Sequence, residues 1–415
     1  MEIAKIGLYD SYLSTLGGGE NFLAVLAEFL ESEFPAAEID ILTYDEYQVP
    51  LQALEDRFDV SLRRTRIRTL RPRRRRWLAR LHPIRRLLHE HDISKVSAAY
   101  DLFVNNTVYS LAPPRAPFSI YMCMFPLDPR PGWMRNTGLA ARVLAPYARY
   151  RGRLYHRWLA GYSLLLANSE FTRGWIRRFW NLESRVLYPP ISIRSVLDLS
   201  RKRRSIVGLG RFFPGDHNKK HDVLIDMLAR IRGEAGGDWE LHLVGGRTDV
   251  PGTDAYVERL ERMAAGLPVH FHFDASRAEL GRLLETSSLF WHATGFGEDE
   301  DERPEKLEHF GMSTVEAMTY GCVPVVYASG GQPEIVEPGR SGYLWRSLDE
   351  FRTGSLEVMR NRDAWERMAR AAHAGSQRFS RHAFRLAVRA LLAAELESGR
   401  QGRPRGVVEG WAPTG

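Results

Sequence analysis

Short continuous apolar runs recur along this chain, each ending in small or polar residues and followed by a longer amphipathic stretch. Ile3–Leu8, Ile39–Thr43, Asp101–Asn106, Phe118–Met122 and Ser163–Ala167 form one series. Ser205–Gly210, Trp239–Val244, Val269–Phe273, Ser288–Ala293 and Val323–Tyr327 form a second. Apolar runs this short, bounded by turn residues, read as strands buried on both faces. The stretches between them carry helical periodicity: Phe22, Leu23, Leu26, Phe29 and Leu30 share one face, and Leu139–Leu159 and Asp254–Ala265 repeat the pattern. Strand and helix in alternation build a parallel, doubly wound sheet, because each parallel crossover needs a helix to return the chain. The polar, basic and aperiodic segment 192–204 separates the two series. The α/β fold expected is therefore two Rossmann-like domains, 1–195 and 203–379. A last helix spans 380–397, and 398–415 reads as a disordered tail. A chain of 415 residues suits two cores better than one.

Ligands of such sheets bind outside the carboxyl ends of the strands. In the first domain those ends place Asn105, Asn106, Met124 and Ser169, with Asn168 and Glu170, on the rim of a cleft. Gly17-Gly-Gly-Glu20 lies between the first strand and its helix, where backbone N–H groups favour an anion. Such glycines also serve simply to allow a tight turn, and the dinucleotide glycine spacing is absent. In the second domain Arg211 ends the first strand, and Lys219 and Lys220 follow on the next loop. An arginine fork and a lysine point charge so placed can converge on a diphosphate, with Lys220 the fallback should the loop register differ by one. His270 and His272 alternate with apolar neighbours and read as strand-face residues. The run Gly295–Pro304 is rich in carboxylates, but consecutive charges on a loop lack the geometry of a metal cage. It reads as solvated or acceptor-facing, and no metal site is expected.

The densest chemistry lies in Glu308-His-Phe-Gly-Met-Ser-Thr-Val-Glu316, followed by Ala-Met-Thr-Tyr-Gly-Cys-Val-Pro-Val-Val326. Two carboxylates stand with seven residues between them, one before a Phe-Gly turn and one within a short helix. Ser313 is the expected N-cap of that helix and Gly321 its left-handed end. A carboxylate accepts only, and can grip a vicinal diol through two hydrogen bonds of about 1.5–3 kcal/mol each when charge-assisted. With Phe310-Gly311, Glu316-Ala-Met and Gly330-Gly-Gln-Pro-Glu334 in register, this region resembles retaining nucleotide-sugar glycosyltransferases of family 4, which have the two-domain GT-B fold. Asn168-Ser-Glu-Phe-Thr172 and Tyr188-Pro-Pro-Ile191 resemble that family's pattern at the end of the first domain.

The resemblance implies that Glu316 holds the donor ribose and Glu308 lies beside the donor sugar. It places Arg211 and Lys219 on the diphosphate, so that Glu308, Arg211 and Lys219 form the catalytic set. Phe310, Gly311, Met312, Gly18, Gly19, Lys220 and His272 complete the expected donor site, His272 at the strand end where the family holds the nucleobase. It implies a UDP- or GDP-linked sugar as substrate, no cofactor and no metal, and a last helix, 380–397, that packs back on the first domain. Where many members carry a histidine against the donor sugar, this chain carries Met124. No general base is assigned.

Two cysteines, Cys123 and Cys322, exclude a disulfide framework and favour a reducing cytoplasm. The first residues lack a signal pattern, and no run of about 18 apolar residues occurs. Net charge is +7, yet twelve arginines and no acid fall within Arg63–Arg86, and without them the chain is at −5. From Trp77 onward the apolar residues of that segment have helical spacing. It suits an anionic membrane surface on the inner face of the membrane, with a solvated face as the rival reading and no nucleic acid expected. The chain thus reads as a glycosyltransferase moving a hexose-type sugar to a hydroxyl acceptor, with a glycan or lipid-linked glycan favoured over a small soluble aglycone. The alternatives are a catalytically silent nucleotide-binding or scaffold subunit of the same fold, or a membrane-surface binding protein that uses the basic segment 63–86.

Overall fold

Each strand run of the sequence is a strand of a parallel sheet. The computed structural model describes residues 3–44, 49–70, 82–108, 110–130, 138–215 and 217–400, with side chains described outside 82–88, 138–144 and 398–400. The chain divides into two units, Met1–Pro190 with Arg381–Gly415, and Ile191–Ser380.

In the first unit the order is β1 (Lys5–Tyr9), α1 (Gly18–Glu33), β2 (Glu38–Thr43), α2 (Leu51–Phe58), β3 (Thr65–Thr69) and α3 (His82–Ser97). β4 (Leu102–Asn105), β5 (Phe118–Cys123), α4 (Gly138–Leu159), β6 (Leu164–Ala167), α5 (Glu170–Trp180) and β7 (Arg185–Val186) follow. All seven strands are parallel, in the order β3-β2-β1-β4-β5-β6-β7. Alternate strand residues serve opposite faces. Leu8, Ile41, Val104, Ile120 and Leu166 pack with α1, whereas Tyr9, Leu42 and Phe103 meet Ile93 of α3. Tyr121 and Leu165 meet Tyr155 of α4 and Ile176 of α5. Helices α3, α4 and α5 therefore lie on one face of the sheet, and α1 on the other.

The second unit runs β8 (Arg203–Leu209), α6 (His221–Ile231), β9 (Glu240–Gly245), α7 (Thr253–Ala264), β10 (Val269–Phe273), α8 (Arg277–Thr286) and β11 (Ser287–His292). It continues with α9 (Met312–Thr319), β12 (Val323–Tyr327), α10 (Gln332–Ile335), β13 (Tyr343–Trp345), α11 (Leu348–Arg360) and α12 (Arg362–Ser376). Six parallel strands take the order β10-β9-β8-β11-β12-β13. The strand order reverses beside β1 in one sheet and β8 in the other, which makes the carboxyl ends there the natural ligand positions. The last helix, α13 (Arg381–Arg400), groups with the first unit. Its Phe384 meets Phe22 of α1 edge to face at 5.2 Å, and Arg389 pairs with Glu33 at 2.7 Å.

Some local readings change. The start of the basic segment is a strand, β3, whose Arg66 and Arg68 are exposed on the sheet edge. Charge there blocks edge-to-edge pairing, a role that composition alone does not separate from ligand binding. Residues 71–81 of the basic segment, and 401–415 of the expected tail, lie outside the described residues. The polar segment 192–204 is partly buried, since Lys202 Nζ donates to Leu284 O at 2.8 Å and Ser287 O at 2.6 Å. Among the described residues no helix is long and apolar enough to cross a membrane. Cys123 and Cys322 are free and buried.

Candidate active site

At the reversal point of the second sheet, β8 ends at Leu209 and β11 ends at His292. Gly210 then lets the Lys219 side chain cross the strand end, for a Cβ there would lie 2.3 Å from Lys219 Cγ. Lys219 Nζ donates to Glu308 Oε2 at 2.6 Å, and both side chains are largely buried. His292 Nε2 lies 3.1 Å from the same oxygen. Glu308 is itself fixed by backbone: Gly331 N donates to Glu308 O at 2.8 Å. Gly330, at φ +61°, permits that approach, because a Cβ would stand 2.0 Å from the same carbonyl oxygen.

A hydrogen-bond chain assigns the His292 tautomer. Thr314 Oγ1 donates to Gln332 Oε1 at 3.0 Å, so the Gln332 amide nitrogen faces His292 Nδ1 at 3.4 Å. Nδ1 therefore accepts, and Nε2 carries the proton that Glu308 receives as a hydrogen bond. Burial pushes His292 below its ordinary value in spite of Glu308, so the imidazole is neutral. Burial would raise the Glu308 carboxyl, but the Lys219 charge and the His292 hydrogen bond outweigh it and hold the group well below the carboxylate range. Beside it His217 Nε2 and His309 Nε2 stand 3.1 Å apart, and burial with the His217 charge keeps His309 well below its ordinary value.

The other expected donor residues are dispersed through this unit. Arg211 is exposed just past β8, its guanidinium 5.6 Å from the Phe213 ring centre. Lys220 is turned away from Glu308 and donates to Glu298 at 2.9 Å, while Lys306 holds the same carboxylate at 3.2 Å. The acidic loop is thus tied down at Glu298, not wholly solvated. Phe310 is buried against Phe379 at 5.3 Å and anchors the turn from within the core. Gly311, at φ 118°, is the actual N-cap of α9, which starts at Met312 and leaves Ser313 inside the first turn. Gly321 has the expected positive φ of 74°. Glu316 is half-buried on α9. His272 bridges His242 at 3.0 Å and Glu279 at 3.1 Å on the sheet face, consistent with a strand-face residue. Among the described residues no cluster could hold a metal ion.

In the first unit Gly18 and Gly19 form the first turn of α1, and the Glu20 carboxylate accepts from Gly17 N at 2.6 Å. Asn106 donates to Asp10 Oδ2 at 2.8 Å and to Gly19 O at 3.0 Å. Met124 is close by, since a Cβ on Gly19 would meet its Cε at 3.9 Å. These residues do converge at the ends of β1, β4 and β5, but they do not form an open rim. Asn105 turns to the other side, donating to Ser110 and Tyr162 at 2.9 Å each. Ser169 is buried as the N-cap of α5 and accepts from Thr172 N at 3.0 Å. Strand-end polar groups so enclosed must satisfy one another, which draws them inward.

Sequence reading missed His292, Gln332, Thr314, His217 and Asp10 as members of these networks. A histidine closing a strand run was a visible signal for His292; the contacts of the others depend on loops that meet only in the fold.

Two parallel Rossmann-like sheets, one in each unit, make up the GT-B fold. The family model of glycosyl transferases group 1 matches residues 192–375. That segment makes up most of the second unit, and the chain is a glycosyltransferase. The GDP-Man:Man(3)GlcNAc(2)-PP-Dol alpha-1,2-mannosyltransferase of Dictyostelium discoideum is 22% identical over 92% of this chain and 82% of its own. The enzyme of that description from Neurospora crassa is 25% identical over 79% and 67%, and that from Xenopus laevis 26% over 53% and 46%. Among solved structures, Anabaena HepE in complex with UDP and glucose superposes with a TM-score of 0.66 at 20% identity, over 94% of this chain and 100% of its own. Sucrose-phosphate synthase from Thermosynechococcus elongatus also gives 0.66, at 15% identity over 95% and 100%.

Proposed function

We propose that this glycosyltransferase moves a hexose from a nucleoside-diphosphate donor to a hydroxyl of a lipid-linked glycan, with retention at the anomeric carbon and without a metal. The observation that carries this reading is the buried contact of Lys219 and His292 with Glu308 at the switch point of the second sheet. Glu308 lies beside the donor sugar, and Glu316 accepts from the ribose hydroxyls. Lys219 keeps donors beyond the one given to Glu308, and with Arg211 it stabilises the charge that grows on the departing diphosphate. The acceptor hydroxyl attacks on the face the diphosphate leaves, and its proton passes to the leaving phosphate oxygen. The named relatives use GDP-Man with a PP-Dol-linked acceptor, which makes GDP-mannose the first donor to try. A lipid-linked acceptor also requires the enzyme to work from the cytoplasmic membrane surface, where the basic first unit supplies an electrostatic hold.

Calorimetric titration of GDP, UDP, ADP and dTDP into the wild type and Glu316→Ala tests the donor site. One nucleotide binds best, and the substitution weakens it about tenfold, or roughly 1.4 kcal/mol. Equal binding by the variant removes Glu316 from the ribose, and no binding at all favours a silent subunit.

A further inference from the structure

Both protein contacts of the Glu308 carboxylate fall on a single oxygen. Lys219 Nζ at 2.6 Å and His292 Nε2 at 3.1 Å meet Oε2, while Oε1 carries no hydrogen bond among the described residues. Nor is Oε1 among the sealed polar atoms that lack a partner, so it remains open to a ligand. The terminal torsion of a glutamate is broad, and an unpinned carboxylate would exchange its two oxygens freely. Here Lys219 and His292 both hold Oε2, and His292 is itself held by Gln332, which Thr314 orients. The ring is buried at the end of β11, with Thr294 Oγ1 at 3.1 Å from its Nε2.

We propose that His292 is a positioning residue that pins Glu308 through Oε2, so that Oε1 alone meets the donor sugar and reads a single hydroxyl. An unpinned carboxylate could chelate a vicinal pair, accepting one hydrogen bond on each oxygen. With Oε2 already accepting from an ammonium and an imidazole N–H, that second acceptor is spent. The distinction matters for selectivity. A chelated diol spreads recognition over two adjacent hydroxyls, whereas one acceptor in fixed geometry depends on one hydroxyl, and leaves that acceptor unpaired when the hydroxyl is missing. The proposal rests on the reading that Glu308 lies beside the donor sugar.

The test compares wild type, His292→Leu and His292→Asn on the preferred donor and on a set of donors each lacking one sugar hydroxyl. Wild type should lose tenfold or more in kcat/KM at one position and less than threefold at its neighbours. His292→Leu should lower kcat at least tenfold, leave nucleoside-diphosphate binding within threefold, and flatten the deoxy profile. His292→Asn, which keeps an N–H donor, should recover most of the rate and the profile. The wild-type profile needs no variant, so a leucine variant that fails to fold still leaves a decision. Equal losses at two adjacent hydroxyls mean chelation and overturn the proposal, as does an active His292→Leu with an unchanged profile. A wild type inactive with every donor overturns the underlying donor reading and the proposal with it.

Discussion

Glu308 shows how much of a site is decided one side chain at a time. Its spacing from Glu316 marks it in the sequence, but its protonation state follows from Lys219, on the loop before α6, and from His292 at the end of β11. Buried histidines recur in this unit, and their neutrality has a stability consequence. His221, stacked on Phe212 at 4.4 Å, is pushed down to about 3 by burial and then by the Lys219 charge. Its native imidazole stays neutral while the unfolded one takes a proton near pH 6.5. The unfolded state thus binds more protons throughout the window from about 6.5 down to about 3, and stability falls on acidification. Between pH 7 and 5 this amounts to about 2 kcal/mol. Urea unfolding at both pH values should therefore show His221→Phe losing about that much less than wild type. Parallel losses in the two proteins would mean that the native state also binds the proton.

At the scale of elements, strands and helices were legible wherever burial on both faces made the runs continuous, and less so at the edges. β3, β7 and β13 escaped because an edge strand is short or charged and so lacks the apolar signature. The capping of α9 by Gly311 in place of Ser313 reflects backbone geometry: the turn there needs φ 118°, which serine rarely adopts. α13 is the element whose periodicity says that it packs but not where. Phe384 gives it an apolar anchor on α1, with Arg385 pairing to Glu28 and Arg389 to Glu33. Phe384→Ala should cost about 3–5 kcal/mol. Hydrogen exchange should then rise first in α13 and the facing half of α1, with the second unit unaffected. Uniform loss of protection in both units would sink this local account.

For the whole molecule, charge is the feature that composition records and topology distributes. Residues 138–180 hold eight arginines against one glutamate. α4, α5 and α3 share one face of the first sheet, where Tyr147 and Tyr150 are exposed large hydrophobics. Arg149 and Arg157 are also exposed on α4. The proposed membrane hold then extends beyond the segment 63–86. Vesicles with anionic lipid should retain the protein at about 50 mM salt and release it near 500 mM, as screening shortens the range of these charges. Arg149→Glu with Arg157→Glu should reduce retention severalfold in a flotation assay. Salt-independent retention, or none at low salt, would rule out an electrostatic hold.

Local pattern determined the two parallel sheets, the strand end beside Arg211 and the loops that carry Lys219 and Glu308. Periodicity and spacing are properties of neighbouring residues, and burial enforces them directly. Only the tertiary structure decided that Lys220 serves Glu298 while Lys219 serves Glu308, that Asn105 and Ser169 are enclosed, and that His292 meets the central carboxylate. Those outcomes turn on which loops converge and on the direction of a side chain at a strand end. A shift of a single residue there sends a polar group to the opposite face, and a linear pattern carries no record of what it will meet.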